Sequence, residues 1–188
     1  MQLFDTGRWP SIADRDDLKD IISKILDSGP EFDARFYQTS AFVGGFACQG
    51  DIVQLTSPAP CIDAAGNAIV TDVTFDHWMI IGNTCDMHRD DELRSQIAPL
   101  VGLAEPVPDE QLRALRRYEY SRQFYVPTWP EAEEQKHYLV DFMQIVTIEK
   151  AAFREDCARV VARLQFPAWA LLHACLVRYL ARDDGRFD

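Results

Sequence analysis

Basic residues are scarce in this chain and unevenly spread. Against 30 Asp and Glu there are 19 Lys and Arg, a formal charge of -11. Such a field repels nucleic-acid phosphate at long range, so a nucleic-acid partner is disfavoured unless a local basic patch overrides it. The only groups of that kind are Arg113, Arg116 and Arg117, and the later set Arg159, Arg163, Arg178 and Arg182. Long apolar runs are also missing, which argues against a membrane span. The opening MQLFDTGRWP has neither the basic start nor the apolar core of a signal peptide, so a cytoplasmic location is expected. Cysteine is present but unpaired in pattern: Cys48, Cys61, Cys85, Cys157 and Cys175 are odd in number and contain no CxxC. Free thiols are expected rather than a disulfide framework. No GxGxxG and no GxxxxGK[ST] occurs, which excludes the usual nucleotide-cradling loops, and no motif requires a cofactor.

What remains is a globular composition, 47% hydrophobic and 11% aromatic over 188 residues, enough for one domain with a buried core. Residues 15–28 read as an amphipathic helix: Leu18, Ile21, Ile22, Ile25 and Leu26 share a face, and Gly29-Pro30 ends it. Residues 51–55 alternate and read as a strand behind Gly50. Residues 60–63 and 68–71 flank Ala64-Ala65-Gly66-Asn67, a hairpin signal. Residues 96–103 give a short strand interrupted by Pro99, which suits an edge or a bulge. Residues 109–120 are helical, with Leu112, Leu115 and Tyr118 on one face, and 124–126 are extended. Residues 128–136 form a surface loop, and 138–148 a strand long enough to bend around a small sheet. A helical turn and then a helix or short strand are expected over 149–164. A closing helix over 166–182 presents Trp169, Leu172, Cys175, Leu176, Tyr179 and Leu180, and the tail 183–188 is expected to fray. The expected class is α+β: a small curved antiparallel sheet, or a Src-homology-type β-barrel, with flanking helices. The single domain divides into an N-terminal helix (1–30), a β core with an inserted helix (46–148) and a C-terminal helical segment (149–188).

Chemistry concentrates in HWMIIGNTCDMHRDDE, residues 77–92. Trp78, Met79, Ile80 and Ile81 form a non-alternating apolar run, the pattern of a strand covered on both faces. Gly82-Asn83 then turns the chain, and Thr84, Cys85, Asp86 and His88 follow within five residues. A thiol beside an imidazole is a nucleophile–base pair, with Asp86 to orient His88. The same two residues are alternatively zinc ligands needing partners from Cys48, Cys61, His77 or His137. A third reading is structural: a cysteine at a strand end with Asp86 or Thr84 capping the next turn. Asp90, Asp91 and Glu92 read as a solvated turn or, with Asp86, a divalent-cation site. His173, inside the apolar closing helix, reads as a satisfied core or edge histidine, and Arg159 and Arg163 as partners for acids of this or another chain.

The middle of the chain also resembles the PemK/MazF family of plasmid-maintenance toxins. The residues that carry the likeness are Gly50-Asp51-Ile52-Val53, the loop 56–77, the apolar run from Trp78 to the small polar Thr84, and Ile97-Ala98-Pro99-Leu100, over about residues 46–103. The resemblance implies a small β-barrel, and the family activity it implies is cleavage of single-stranded RNA. Two departures bear on that activity. Loop 56–77 holds no Arg or Lys, and Leu100, Val101 and Gly102 follow Pro99 with no hydroxyl. Phosphodiester cleavage calls for charge that stabilises the phosphorane, and cations usually supply it. The reading favoured by these residues is a non-catalytic protein-binding or regulatory component, of a toxin–antitoxin-like or defence system as the resemblance implies. A protein partner, a homodimer included, is expected. The rival is a Cys/His hydrolase or metal-assisted enzyme centred on Cys85 and His88, and an RNA-cleaving toxin is the least favoured.

Overall fold

The computed structural model describes residues 36–38, 47–56, 58–63, 65–71, 75–104, 106–130, 132, 137–153 and 157–180. The expected N-terminal helix over 15–28 and the tail 183–188 lie outside them. Nine strands and three helices follow in order: β1 (Ile52–Leu55), β2 (Pro60–Ile62), β3 (Ala68–Val70), β4 (Trp78–Ile80), α1 (Thr84–Met87), β5 (Arg94–Gly102), α2 (Asp109–Arg116), β6 (Gln123–Val126), β7 (Tyr138–Asp141), β8 (Val146–Glu149), β9 (Ala158–Ala162) and α3 (Phe166–Leu180). One-turn helices at Phe142–Gln144 and Lys150–Phe153 follow β7 and β8. Every strand pairing among these residues is antiparallel. The path runs β3-β2-β8-β5-β4-β1-β9, with β7 on β5 and β6 on β7. The class is therefore α+β, and among the described residues the path is open between β3 and β9. No helix among them is long and apolar enough to cross a membrane.

The longest strand is the hub. Arg94–Ile97 of β5 pairs with β8, Leu100–Gly102 with β7, and Ile97, Ala98 and Pro99 with β4 on the other side. Pro99 was expected to mark an edge or a bulge; it sits instead in a central strand. Backbone direction explains the tolerance. Gln96 accepts from Ile81 N–H and Leu100 N–H donates to His77, so the even-numbered peptide groups face β4. The nitrogen of Pro99 therefore faces the opposite side, where Phe142–Gln144 has bent the chain out between β7 and β8. A missing N–H costs no ladder bond there. The bend over 138–148 falls within this same turn.

Successive residues of the inner strands enter opposite cores. Met79, Ile52, Ala98 and Leu100 join a large cluster with α2, α3 and the aromatic residues of β6, while Trp78, Ile80, Val53 and Ile97 join a smaller one with Cys61 and Ile148. This is why Trp78–Ile80 is apolar without alternation: all three side chains are buried. The stretch after Val126, expected as a surface loop, carries a buried residue, Trp129, stacked on Tyr138 at 5.1 Å. Helix α2 ends where Tyr118 takes a left-handed φ of 51°. Arg178 of α3 then donates to the carbonyls of Tyr118 and Tyr120, fastening the two helices. The apolar stripe of α3 holds for Leu172 and Cys175, whereas Leu180 is 77% exposed.

Candidate functional site

At the end of β4 the chain turns through Gly82, whose Cα lies so close to β5 that a Cβ would stand 2.1 Å from Ser95 Oγ. Asn83 then caps α1, its Oδ1 accepting the N–H of Cys85. At the other end of this single turn, Lys150 Nζ donates to the carbonyls of Asp86, Met87 and Arg89 at 2.8, 3.4 and 2.5 Å. A cation on the last carbonyls of a helix satisfies groups that lack intrahelical partners and complements the dipole.

The four residues expected to converge lie on one short helical turn and its C-cap. A helical turn rotates each successive side chain by about 100°, so Thr84, Cys85 and Asp86 fan out instead of meeting. Cys85 is exposed, and the hydrogen bonds at this residue are made by its backbone: its N–H donates to Asn83 and its carbonyl accepts from His88 N–H. Asp86 and Asp91 both face the Arg89 guanidinium, at 3.8 and 3.6 Å, and His88 is exposed. Thr84 alone points inward, where its Oγ1 accepts the N–H of Gln49 at 3.0 Å. The proposed zinc partners are likewise dispersed. Cys61 is buried in the smaller core, His77 packs on Trp129 at 4.8 Å, and His137 Nδ1 meets the Tyr125 hydroxyl at 2.9 Å. Among the described residues no three His, Cys, Asp or Glu side chains are grouped to hold a metal ion.

Thr84 leads instead to a buried polar cluster built on the turn Cys48-Gln49-Gly50-Asp51. Gly50 has a φ of +85°, which favours glycine, and a Cβ on it would lie 2.9 Å from Leu164 Cδ1, so the leucine tip would have to shift. The turn drives Asp51 inward to zero exposure, where both carboxylate oxygens meet Arg163 at 2.7 Å. Oδ2 also accepts the N–H of Cys48 at 2.8 Å. Burial pushes the Asp51 carboxyl above its ordinary value, against the opposing pull of Arg163 and Cys48 N–H. The contact with Asp51 raises Arg163 in turn, so the guanidinium stays charged. Burial and the Asp51 charge together push the Cys48 thiol up, away from a reactive thiolate.

Gln49 extends the cluster to α3. Its Nε2 donates to the carbonyl of Ile81 at 2.7 Å, which fixes the amide so that Oε1 faces His173 Nε2 in a short contact. An amide oxygen only accepts, so Nε2 carries the imidazole proton. The His173 ring lies against Trp169, centroids 4.3 Å apart, and burial lowers its affinity for a second proton. His173 is thus a satisfied, neutral histidine, and the acid that Arg163 pairs with belongs to this chain.

The residues that sequence reasoning missed here are Gln49 and the pairing of Asp51 with Arg163. A carboxylate wedged between a glycine turn and the apolar start of β1, Ile52-Val53, was the available signal, since a buried charge there requires a partner. Comparison with known proteins adds no assignment: no family model, no curated protein and no solved structure matches the chain.

Proposed function

We propose that this protein is a non-catalytic protein-binding or regulatory module on a PemK/MazF-like scaffold, and that it works as a component of a toxin–antitoxin-like or defence system. The observation that carries the reading is how its reactive groups are used. Buried Asp51 and Gln49 are satisfied by the half-buried Arg163 and His173, and three thiols, Cys48, Cys61 and Cys175, are pushed above the ordinary thiol value. Groups so committed hold structure together and are poorly placed to turn over a substrate. The reading draws on the antiparallel neighbours β1, β4 and β5, which begin at Gly50-Asp51-Ile52-Val53, for the family's strand order, although the path is open among the described residues. The surplus of acidic residues supports a basic protein partner over nucleic acid.

The test is a salt-graded pull-down with the tagged protein and its Cys85→Ser, His88→Ala double variant. Both should retain the same partner, released as ionic strength rises. Loss of the partner in the double variant alone would sink the reading. A second reading, a Cys/His hydrolase, is supported by the exposure of Cys85. Alkylation of Cys85 near pH 6 that slows at least about tenfold in His88→Ala would favour it.

A further inference from the structure

Among the described residues strand β3 is one margin of the sheet, hydrogen-bonded to β2 along a single side. Its three residues, Ala68, Ile69 and Val70, are all exposed, Val70 at 62%. The direction of its peptide groups follows from the hairpin. Asp63 N–H donates to the carbonyl of Asn67 and Thr71 N–H to that of Ala59, while Ile69 stands opposite Cys61. Residues 67, 69 and 71 therefore face β2, and alternation turns the N–H and C=O of Ala68 and Val70 outward. Two outward peptide groups about 7 Å apart are the repeat to which another strand bonds.

Sheet margins are ordinarily guarded by lysine, proline or a covering element. The far margin has such guards: β9 presents the exposed Arg159, and Tyr37 bridges to Leu164 just beyond it. Strand β3 offers only apolar side chains. In sequence, the segment 56–77 that carries β3 has acidic residues and no Lys or Arg, and Asp63 and Asp76 are the acids among its described residues. Asp63 accepts from the N–H groups of Ala65 and Asn67 and from Asn67 Nδ2, contacts that hold its carboxylate ionised. A second copy pairing here would bring two identical sets of aspartates together. A cationic strand is attracted to them.

We propose that the outer edge of β3 receives a short extended segment, carrying lysine or arginine at alternate positions, as an added strand from a partner protein. The proposal rests on the protein-binding reading and names the surface and the chemistry of the partner. Strand addition draws affinity from main-chain bonds and selectivity from alternate side chains.

The experiment uses the full chain and two capped heptapeptides, one alternating lysine with valine and one alternating glutamate with valine. Amide hydrogen exchange is read at Ala68 and Val70. The lysine peptide should slow exchange at both amides by at least about tenfold, with the effect fading as salt rises, and the glutamate peptide should not. Val70→Lys, which keeps the backbone donor but adds a like charge, should weaken the lysine peptide about tenfold while leaving the melting curve cooperative. Val70→Pro removes the outward donor and should abolish protection at Ala68. Equal protection by both peptides, no protection by either, or unchanged binding to Val70→Lys overturns the proposal. Protection that grows with protein concentration alone overturns it in favour of a second copy. Binding of the lysine peptide without change at these two amides removes the edge as the site but leaves the protein-binding reading standing.

Discussion

Two polar regions share one hydrogen bond, from Gln49 N–H to Thr84 Oγ1, and are otherwise built in opposite ways. Around Asp51 the carboxylate and the Gln49 amide are buried, and the half-buried Arg163 and His173 meet them as fixed partners from the end of β9 and from α3. From Asn83 to Arg89 similar groups lie at the surface, held by the backbone through the Asn83 cap and Lys150. Removing a partner in the first region leaves a buried charge or amide exposed to nothing, whereas in the second water takes its place. Density of reactive residues along the chain marked the second region. The interior of the fold is organised by the first.

The largest effect expected from this contrast is at Arg163. Arg163→Met strands a fully buried carboxylate and should cost about 3–5 kcal/mol by urea denaturation. Asp51→Asn combined with Arg163→Met should recover much of that loss, because no unpaired charge is left. A single variant within about 1 kcal/mol of the parent would mean that the pair does not organise the interior. Gln49→Ala, which releases Ile81 and His173 together, should cost about 1–3 kcal/mol. Lys150→Met uncaps α1 and should cost about 1–2 kcal/mol, separating the part of the surface region that is anchored from the part that is not.

A pH series sharpens the comparison further. Burial lowers the His173 pKa below its unfolded value of 6.5, so its contribution is fully present above that value. As pH falls below 6.5 the unfolded chain binds the proton more readily and stability declines; His173→Gln should flatten this part of the profile. Asp51 acts with the opposite sign nearer pH 4, its raised carboxyl making stability fall as pH rises through that range. Smallest is Cys85→Ser, expected within about 0.5 kcal/mol of the parent. In the parent, Cys85 should alkylate first. Cys175, buried in α3 and pushed up to about 12, should react only on unfolding.

The strands were legible where periodicity or turn chemistry is local. The β2–β3 hairpin follows from Gly66, whose φ is +86°, and from Asp63 folding back on Asn67; the two-faced burial of Trp78–Ile80 follows from its unbroken apolar run. Pro99 misled because its meaning depends on which side of β5 the peptide faces, and that is set by where β7 and β8 part company. At Thr84, Cys85 and Asp86 nearness in sequence carried less than it promised, because a capped helical turn points consecutive side chains in different directions. The partnership of Asp51 with Arg163 spans 112 residues, a distance over which no period or motif operates. Sequence did supply half of it, a charge that had to find a partner.

That long span also governs how the molecule is made. Strand β1 lies between β4 and β9, so it has only one neighbour until residue 158 and those following it have been synthesised. At ribosomal rates of about 5–20 residues per second, the Asp51 carboxylate waits roughly 6–22 seconds for its guanidinium. During that interval the nascent chain carries an open strand and a charge it cannot yet bury, the condition in which chaperones engage a polypeptide. A fragment ending before Arg163 would remain in that state permanently, so any piece of the chain meant to isolate the sheet must run through β9 to Arg163.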